Sequence, residues 1–205
     1  MEFLSIASLK EHKAAIYALC SGAEPNLIYS GGSDRHVILW DLEKMQAQKV
    51  VAKSPTTIIS LLYVKKLDFL LIGQVEGGVH VIDLKQGKEV KYLKAHQGYI
   101  FDMKYLGEKR ELLCASGDGS ISVWSLENFN LLYHKKICNG KIRKIDLSAD
   151  EKSVVLAGGD GKVYRLNTED WSLSESFEGF ASSLIVVRFE PDGDKLLVGE
   201  KDAHL

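Results

Sequence analysis

Apolar residues fall in short runs along this chain, each broken by a polar cluster. "AIYALC", "LIYSG", "HVILWD" and "QKVVA" follow one another between residues 15 and 52, and "YIFDMKYL", "ELLCAS", "SISVWS" and "NLLYHK" between 99 and 135. The runs are rich in Val, Ile, Leu and Tyr, and Gly, Asp, Asn and Ser separate them, which predicts strands joined by tight turns rather than helices. In "SISVWS", Ile121 and Val123 alternate with Ser120, Ser122 and Trp124, the period of two expected of a pleated strand.

The runs recur with a period of 42. Steps of 42 from Asp34 reach Glu76, Asp118, Asp160 and Asp202, all acidic; steps from Ile16 reach Ile58, Ile100, Ile142 and Leu184, all apolar. The column of Gly31 holds Gly73, Ala115, Ala157 and Gly199 and stays small throughout. No insertion or deletion interrupts the register. Four strands per period, repeated in tandem, predict a β-propeller, with no linker or second domain.

Trp40-Asp41 and Trp124-Ser125 end the first and third repeats, where the second and fourth carry Ile82-Asp83 and Leu166-Asn167. Glu11-His12 and Ala95-His96 stand where a GH pair belongs. On these residues and the period, the chain resembles the WD40-repeat family over essentially all of its length. The resemblance implies an all-β, WD40-type β-propeller with four complete repeats, about 10–51, 52–93, 94–135 and 136–177, and a partial fifth, 178–205. Residues 3–9 align with Met45–Val51, the fourth strand of a repeat, and are expected to close the last blade. A seven-bladed ring, requiring roughly 290 residues at this period, is preferred over a five-bladed one that closes on itself.

Ser30, His12 and Asp34 together suggest a hydrolase triad. A triad needs an exposed nucleophile, an oxyanion hole and a cleft, whereas Ser30 lies inside a strand and no nucleophile-elbow glycine pattern surrounds it. The resemblance instead implies a structural tetrad of His12, Ser30, Asp34 and Trp40, in which a buried indole N–H and a buried carboxylate satisfy each other through serine and imidazole. The third repeat keeps His96, Asp118 and Trp124, with Cys114 in the serine column; in the second and fourth, apolar packing is expected to replace the polar ties. His80 and His134 show no partner pattern. Asp-Gly pairs and "PDGD" at 191–194 read as turns.

The chain has 205 residues, 26% of them charged, and a formal net charge of -2. That balance points away from nucleic acid, and no apolar run is long enough for a membrane helix. Three cysteines without CxxC spacing, Cys20, Cys114 and Cys138, suggest a reducing compartment, the cytoplasm or nucleus. Cys20 and Cys114 read as small core residues, while Cys138, in a histidine column, is open to a reading as a partly exposed reactive thiol. No cofactor or metal is implied.

The resemblance implies a non-catalytic scaffold that binds protein or peptide partners on the top face of the propeller, as a subunit of a multiprotein complex. Candidate partner-binding residues near that face are Arg35, Tyr99, Lys141, Arg143 and Phe180. Tyr and Arg concentrate binding energy at interfaces, and Lys141 with Arg143 suits an acidic peptide or a phosphate group. Tyr17 and Phe101 read as aromatics packed between blades. The alternative is an enzyme or ligand-binding propeller with its site at the central channel, where Asp102 is the one acid in its column beside Ala18, Ser60, Lys144 and Val186.

Overall fold

A computed structural model describes residues 7–190 and 195–202. All regular structure among them is β-strand. The first sheet comprises β1 (Ile16–Ser21), β2 (Leu27–Gly32), β3 (His36–Asp41) and β4 (Gln46–Lys53). The second holds β5 (Ile58–Val64), β6 (Phe69–Gln74), β7 (Gly78–Asp83) and β8 (Lys88–Lys94). The third holds β9 (Ile100–Leu106), β10 (Glu111–Ser116), β11 (Ser120–Ser125) and β12 (Leu131–Lys136), and the fourth β13 (Ile142–Leu147), β14 (Ser153–Gly158), β15 (Val163–Asn167) and β16 (Leu173–Phe177). A fifth pair, β17 (Leu184–Phe189) and β18 (Leu196–Glu200), follows. Each sheet is an antiparallel meander in chain order, as expected when short turns join successive strands. No helix among the described residues is long and apolar enough to cross a membrane.

First strands pack on first strands in succession: β1 on β5, β5 on β9, β9 on β13 and β13 on β17. This is the radial stacking of propeller blades. Middle strands are consequently covered on both faces. Ser120 to Trp124 are all buried, so the side chains alternate in direction but not in burial. The fourth strands lie outermost; β16 is exposed along its whole length.

The packing between sheets explains the column of small residues. A Cβ placed at Gly31 would stand 2.8 Å from Ile58 Cγ2, and one at Gly73 the same distance from Ile100 Cγ2. An isoleucine on each first strand thus fills the space that the preceding sheet leaves open. Ile142 with Ala115, and Leu184 with Ala157, share the clusters at the next two junctions.

Four first strands shift register just after this knob, between Ile16 and Ala18, Ile58 and Ser60, Ile142 and Lys144, and Leu184 and Val186. On β9 the shift falls opposite Ala115/Ser116, so that Phe101 is skipped. A bulge leaves one residue unpaired and re-aims its side chain. The bulged residues are Tyr17, Ile59, Phe101, Arg143 and Ile185, one per sheet. The turns between second and third strands also repeat, with a left-handed residue at Arg35 (φ 66°), Gly77, Gly119 and Gly161.

The strand expected over Phe3–Leu9 lies largely outside the described residues, and Ala7–Leu9 carry no strand. The "PDGD" turn lies outside them as well.

Candidate partner-binding site

The bulges and the turns of the Asp34 column meet at one end of the stacked sheets. There Tyr17, Ile59, Val75, Tyr99 and Phe101, with Ser33 and Thr57, line a recess of about 550 Å³. Tyr17 is 57% exposed and Tyr99 45%. Tyr17 therefore faces the recess instead of packing between blades, because its bulge turns it out of the sheet. Phe101 lies 5.5 Å from Tyr99, ring centre to ring centre. Lys141 Nζ stands 5.9 Å from the Tyr99 ring centre, and the Arg143 guanidinium 5.9 Å from that of Phe101, placements in which a cation is held by the ring face. Arg143 also donates to Ser183 Oγ at 2.8 Å.

Two of the sequence-derived candidates lie elsewhere. Arg35 is exposed but reaches the Pro55 carbonyl at 3.4 Å and does not line the recess. Phe180 packs against the cluster of Val155, Ala157, Val163, Leu184 and Val187, so it is a wall of the core at the last junction and not a free anchor. Tyr17 and Ile59 add to the recess through their bulges, which alternation along an ideal strand would not single out, and Val75 adds to it from the turn after β6.

A larger groove, of about 640 Å³, runs at the opposite end past Glu108, Lys109, Glu151 and Thr168. Its polar groups satisfy one another. Glu151 accepts from the Gly107 N–H at 3.2 Å, and Lys109 donates to the Thr168 carbonyl at 2.6 Å. Its lining is more polar in proportion than that of the aromatic recess.

Beneath the recess turns lie the histidine networks. In the first sheet His12 Nδ1 is 2.7 Å from Asp34 Oδ2, His12 Nε2 is 2.6 Å from Ser30 Oγ, and Trp40 Nε1–H donates to Ser30 Oγ at 2.6 Å. With the proton on Nδ1, every link has one donor and one acceptor. Burial pushes the Asp34 carboxyl up, but hydrogen bonds from His12 and from the Lys13 and His36 backbone N–H groups outweigh it and hold the group below its usual value. Ser30 is thus spent as donor and acceptor inside the sheet, and the geometry lacks an exposed nucleophile at this position.

The third sheet rebuilds the network with a different serine. His96 Nε2 lies 2.7 Å from Ser122 Oγ, which also accepts from Trp124 Nε1–H at 2.9 Å. Ser122 pairs directly with Cys114 across the β10–β11 ladder. The hydroxyl has moved one strand over, into nearly the same place in space. His96 Nδ1 is 2.9 Å from Ser120 Oγ and 3.3 Å from Asp118. Ser120 Oγ also meets His134 Nε2 at 3.1 Å.

The second and fourth sheets are not purely apolar here. Ile38, His80, Ser122 and Tyr164 occupy one column. His80 Nε2 lies 2.5 Å from Gln74 Nε2, and His80 Nδ1 2.9 Å from Glu89. Tyr164 donates to Asp160 Oδ2 at 2.7 Å. Polar ties persist in both sheets, drawn from the third strand, which corrects the expectation of apolar replacement. His80 and His134 are accordingly partnered.

Two segments, residues 3–41 and 87–125, match the family model described as WD domain, G-beta repeat. Each ends one residue past the tryptophan of a histidine-tied sheet, at Asp41 and at Ser125. These are WD40 repeats. No curated protein matches the chain. WD40 repeats serve in general as scaffolds for protein interactions.

The sheets are also joined by charge along their inner strands. Asp102 accepts from the Ile145 backbone N–H at 3.1 Å and pairs with Lys144 at 3.0 Å. It spans the junction between the third and fourth blades, where one cation and one backbone donor already occupy it. Asp146 binds Lys104 at 2.7 Å, Arg188 at 3.0 Å and the Phe189 N–H at 3.0 Å. Burial raises the Asp146 carboxyl, and these donors more than reverse the rise. Among the described residues no three His, Cys, Asp or Glu side chains gather as metal donors would. Cys114 is fully buried, and its thiol is pushed up to about 12 by burial. Cys138 is buried as well, its thiol raised by the same cause, so the exposed reactive thiol considered from its column does not arise: a thiolate forms poorly there.

Proposed function

We propose that this protein is a non-catalytic interaction scaffold that holds a protein or peptide partner over the aromatic recess, as a subunit of a larger assembly. The observation that carries the reading is the pair of exposed rings, Tyr17 and Tyr99, set around an apolar floor of Ile59 and Phe101. Exposed aromatics around a concave apolar floor are the kind of anchor where binding energy concentrates. The sheets beneath are tied to one another, so the surface is preformed and loses little entropy on binding. Lys141 and Arg143 on the rim favour a partner with acidic groups beside its apolar anchor.

Tyr17→Ser and Tyr99→Ser, alone and with Lys141→Glu, test the reading. The protein is tagged in its native source, recovered with its partners and compared with each variant by quantitative mass spectrometry. Partners bound through the recess fall at least tenfold in the double tyrosine variant while thermal melting is unchanged. Partners that remain at wild-type levels sink the proposal.

A further inference from the structure

We propose that Asn139 is a self-modifying site: it converts without an enzyme to aspartate and isoaspartate, and the isoaspartate form loosens the junction between the third and fourth sheets. Asn139 and Gly140 stand in the loop from β12 to β13, between two four-stranded sheets. Of the five asparagines, Asn26, Asn128, Asn130, Asn139 and Asn167, this is the one that a glycine follows. The residue after an asparagine governs how easily its backbone nitrogen reaches the side-chain carbonyl carbon. Glycine, lacking a Cβ, hinders that approach least.

The fold leaves this pair open to react. Asn139 is exposed, and among the described residues its side chain makes no hydrogen bond. The Gly140 N–H turns toward the Cys138 sulfur, a weak acceptor, and no carbonyl among the described residues takes it. Three other asparagines are engaged. Asn26 Nδ2 donates to Asp41 at 3.2 Å, and the side-chain oxygens of Asn128 and Asn167 accept from the backbone N–H groups of Asn130 and Glu169. The Asp-Gly turns carry the same dipeptide chemistry but are locked. Asp118 accepts from the Gln97 and Ser120 N–H groups and Asp160 from the Tyr164 hydroxyl, while the N–H groups of Gly119 and Gly161 donate to the carbonyls of Ser116 and Gly158. Packing also holds the glycine in place. A Cβ at Gly140 would stand 2.6 Å from the Gly159 carbonyl carbon, so a bulkier residue that would slow the reaction does not fit.

The step needs only water. The Gly140 nitrogen bonds to Asn139 Cγ and gives up its proton; the Cγ–Nδ2 bond breaks, and Nδ2 leaves with that proton as ammonia. The product is a cyclic imide, which water opens. Cleavage at Cγ yields aspartate. Cleavage at the main-chain carbonyl yields isoaspartate, in which the chain runs through the side-chain carbon. The new carboxylate shares a recess of about 490 Å³ with Lys136 and Lys162, which offset its charge. The isoaspartate backbone is longer by a methylene. Gly140, wedged against Gly159, has no slack to absorb it. The displacement passes to Lys141, which stands over the Tyr99 ring, and to Ile142, fully buried in the cluster that joins the two sheets.

The folded full-length protein is held in mildly acidic and in mildly alkaline buffer, below its melting transition, and sampled over weeks. Samples are digested, and amide loss at each asparagine is read by mass spectrometry with the isoaspartyl peptides resolved by chromatography. Position 139 is expected to lose its amide at least about tenfold faster than the other four and to yield both products. The rate is expected to be higher in alkaline buffer, where the Gly140 nitrogen deprotonates more readily. Asn139→Gln, whose imide ring would be larger, is expected to keep its amide. The isoaspartate fraction, isolated by ion exchange, is expected to melt below Asn139→Asp, which carries the charge without the longer backbone. A position 139 that reacts no faster than the others, that yields aspartate alone, or that reacts only once the protein is unfolded in urea overturns the inference. So does an isoaspartate fraction that melts with Asn139→Asp.

Discussion

The first and third blades solve one problem with different residues. In both, a tryptophan indole and a histidine share a serine hydroxyl, and the histidine's other nitrogen faces an aspartate. In the first blade the hydroxyl comes from Ser30 on β2; in the third it comes from Ser122 on β11, directly across the ladder from Cys114. The fold requires a hydroxyl at a point between two strands, and either strand can supply it. Once β11 provides it, position 114 is released to be a buried apolar thiol. The second and fourth blades extend the lesson, since His80 and Tyr164 occupy the same third-strand column.

The strongest way to break the comparison is to remove the hydroxyl. Ser122→Ala leaves the Trp124 N–H and His96 Nε2 unpaired in a buried site and should cost about 1–3 kcal/mol in urea unfolding. Adding Cys114→Ser should return most of that loss, because it rebuilds in the third blade the arrangement of the first. A double variant no more stable than the single one would show that the two sites are not equivalent.

A smaller effect sharpens the comparison through pH. Burial holds His96 below its ordinary 6.5, against the opposing pull of Asp118. A histidine held neutral in the folded state binds fewer protons than in the unfolded chain, so stability falls as pH drops through the unfolded value. Asp34 and Asp118 are both held below 3.8, so their contributions persist above that value and fade only as pH falls further. The melting temperature should therefore decline between about pH 7 and 5, with a shallower slope in His96→Asn. Equal slopes would remove His96 as the cause.

The smallest expected effect concerns the turn above each network. Arg35 takes the left-handed conformation that glycine adopts in the next three blades, a conformation unfavourable for side chains with a Cβ. Arg35→Gly should change stability by no more than about 1 kcal/mol, with relief of that strain opposed by the greater freedom of the unfolded chain. A loss well above that, seen in thermal melts, would give the Arg35–Pro55 contact more weight than its 3.4 Å suggests.

The strand order and the blade-like stacking were legible in the sequence because both follow from local chemistry repeated at a fixed interval. Runs of Val, Ile and Leu between Asp-Gly turns form hairpins wherever they occur, and a 42-residue period places equivalent faces together. The small column at Gly31 was visible as a pattern, although its cause, the isoleucine of the next sheet, was not. Ser122 could have been found by asking which residue pairs with Cys114, a question of ladder register rather than of columns.

Sequence alone determined the all-β architecture, the repeat and the positions of its histidines, aspartates and tryptophans, since propensity and periodicity act along the chain. Only the tertiary structure decided which hydroxyl serves Trp124, that Phe180 belongs to the core, and that the bulges turn Tyr17 and Phe101 into the recess. It also decided that Asp102 and Asp146 join blades. The last of these depends on contacts between residues about 40 positions apart; in the others a one-residue bulge or a single strand exchange redirects a side chain without altering the periodic pattern that announces the fold.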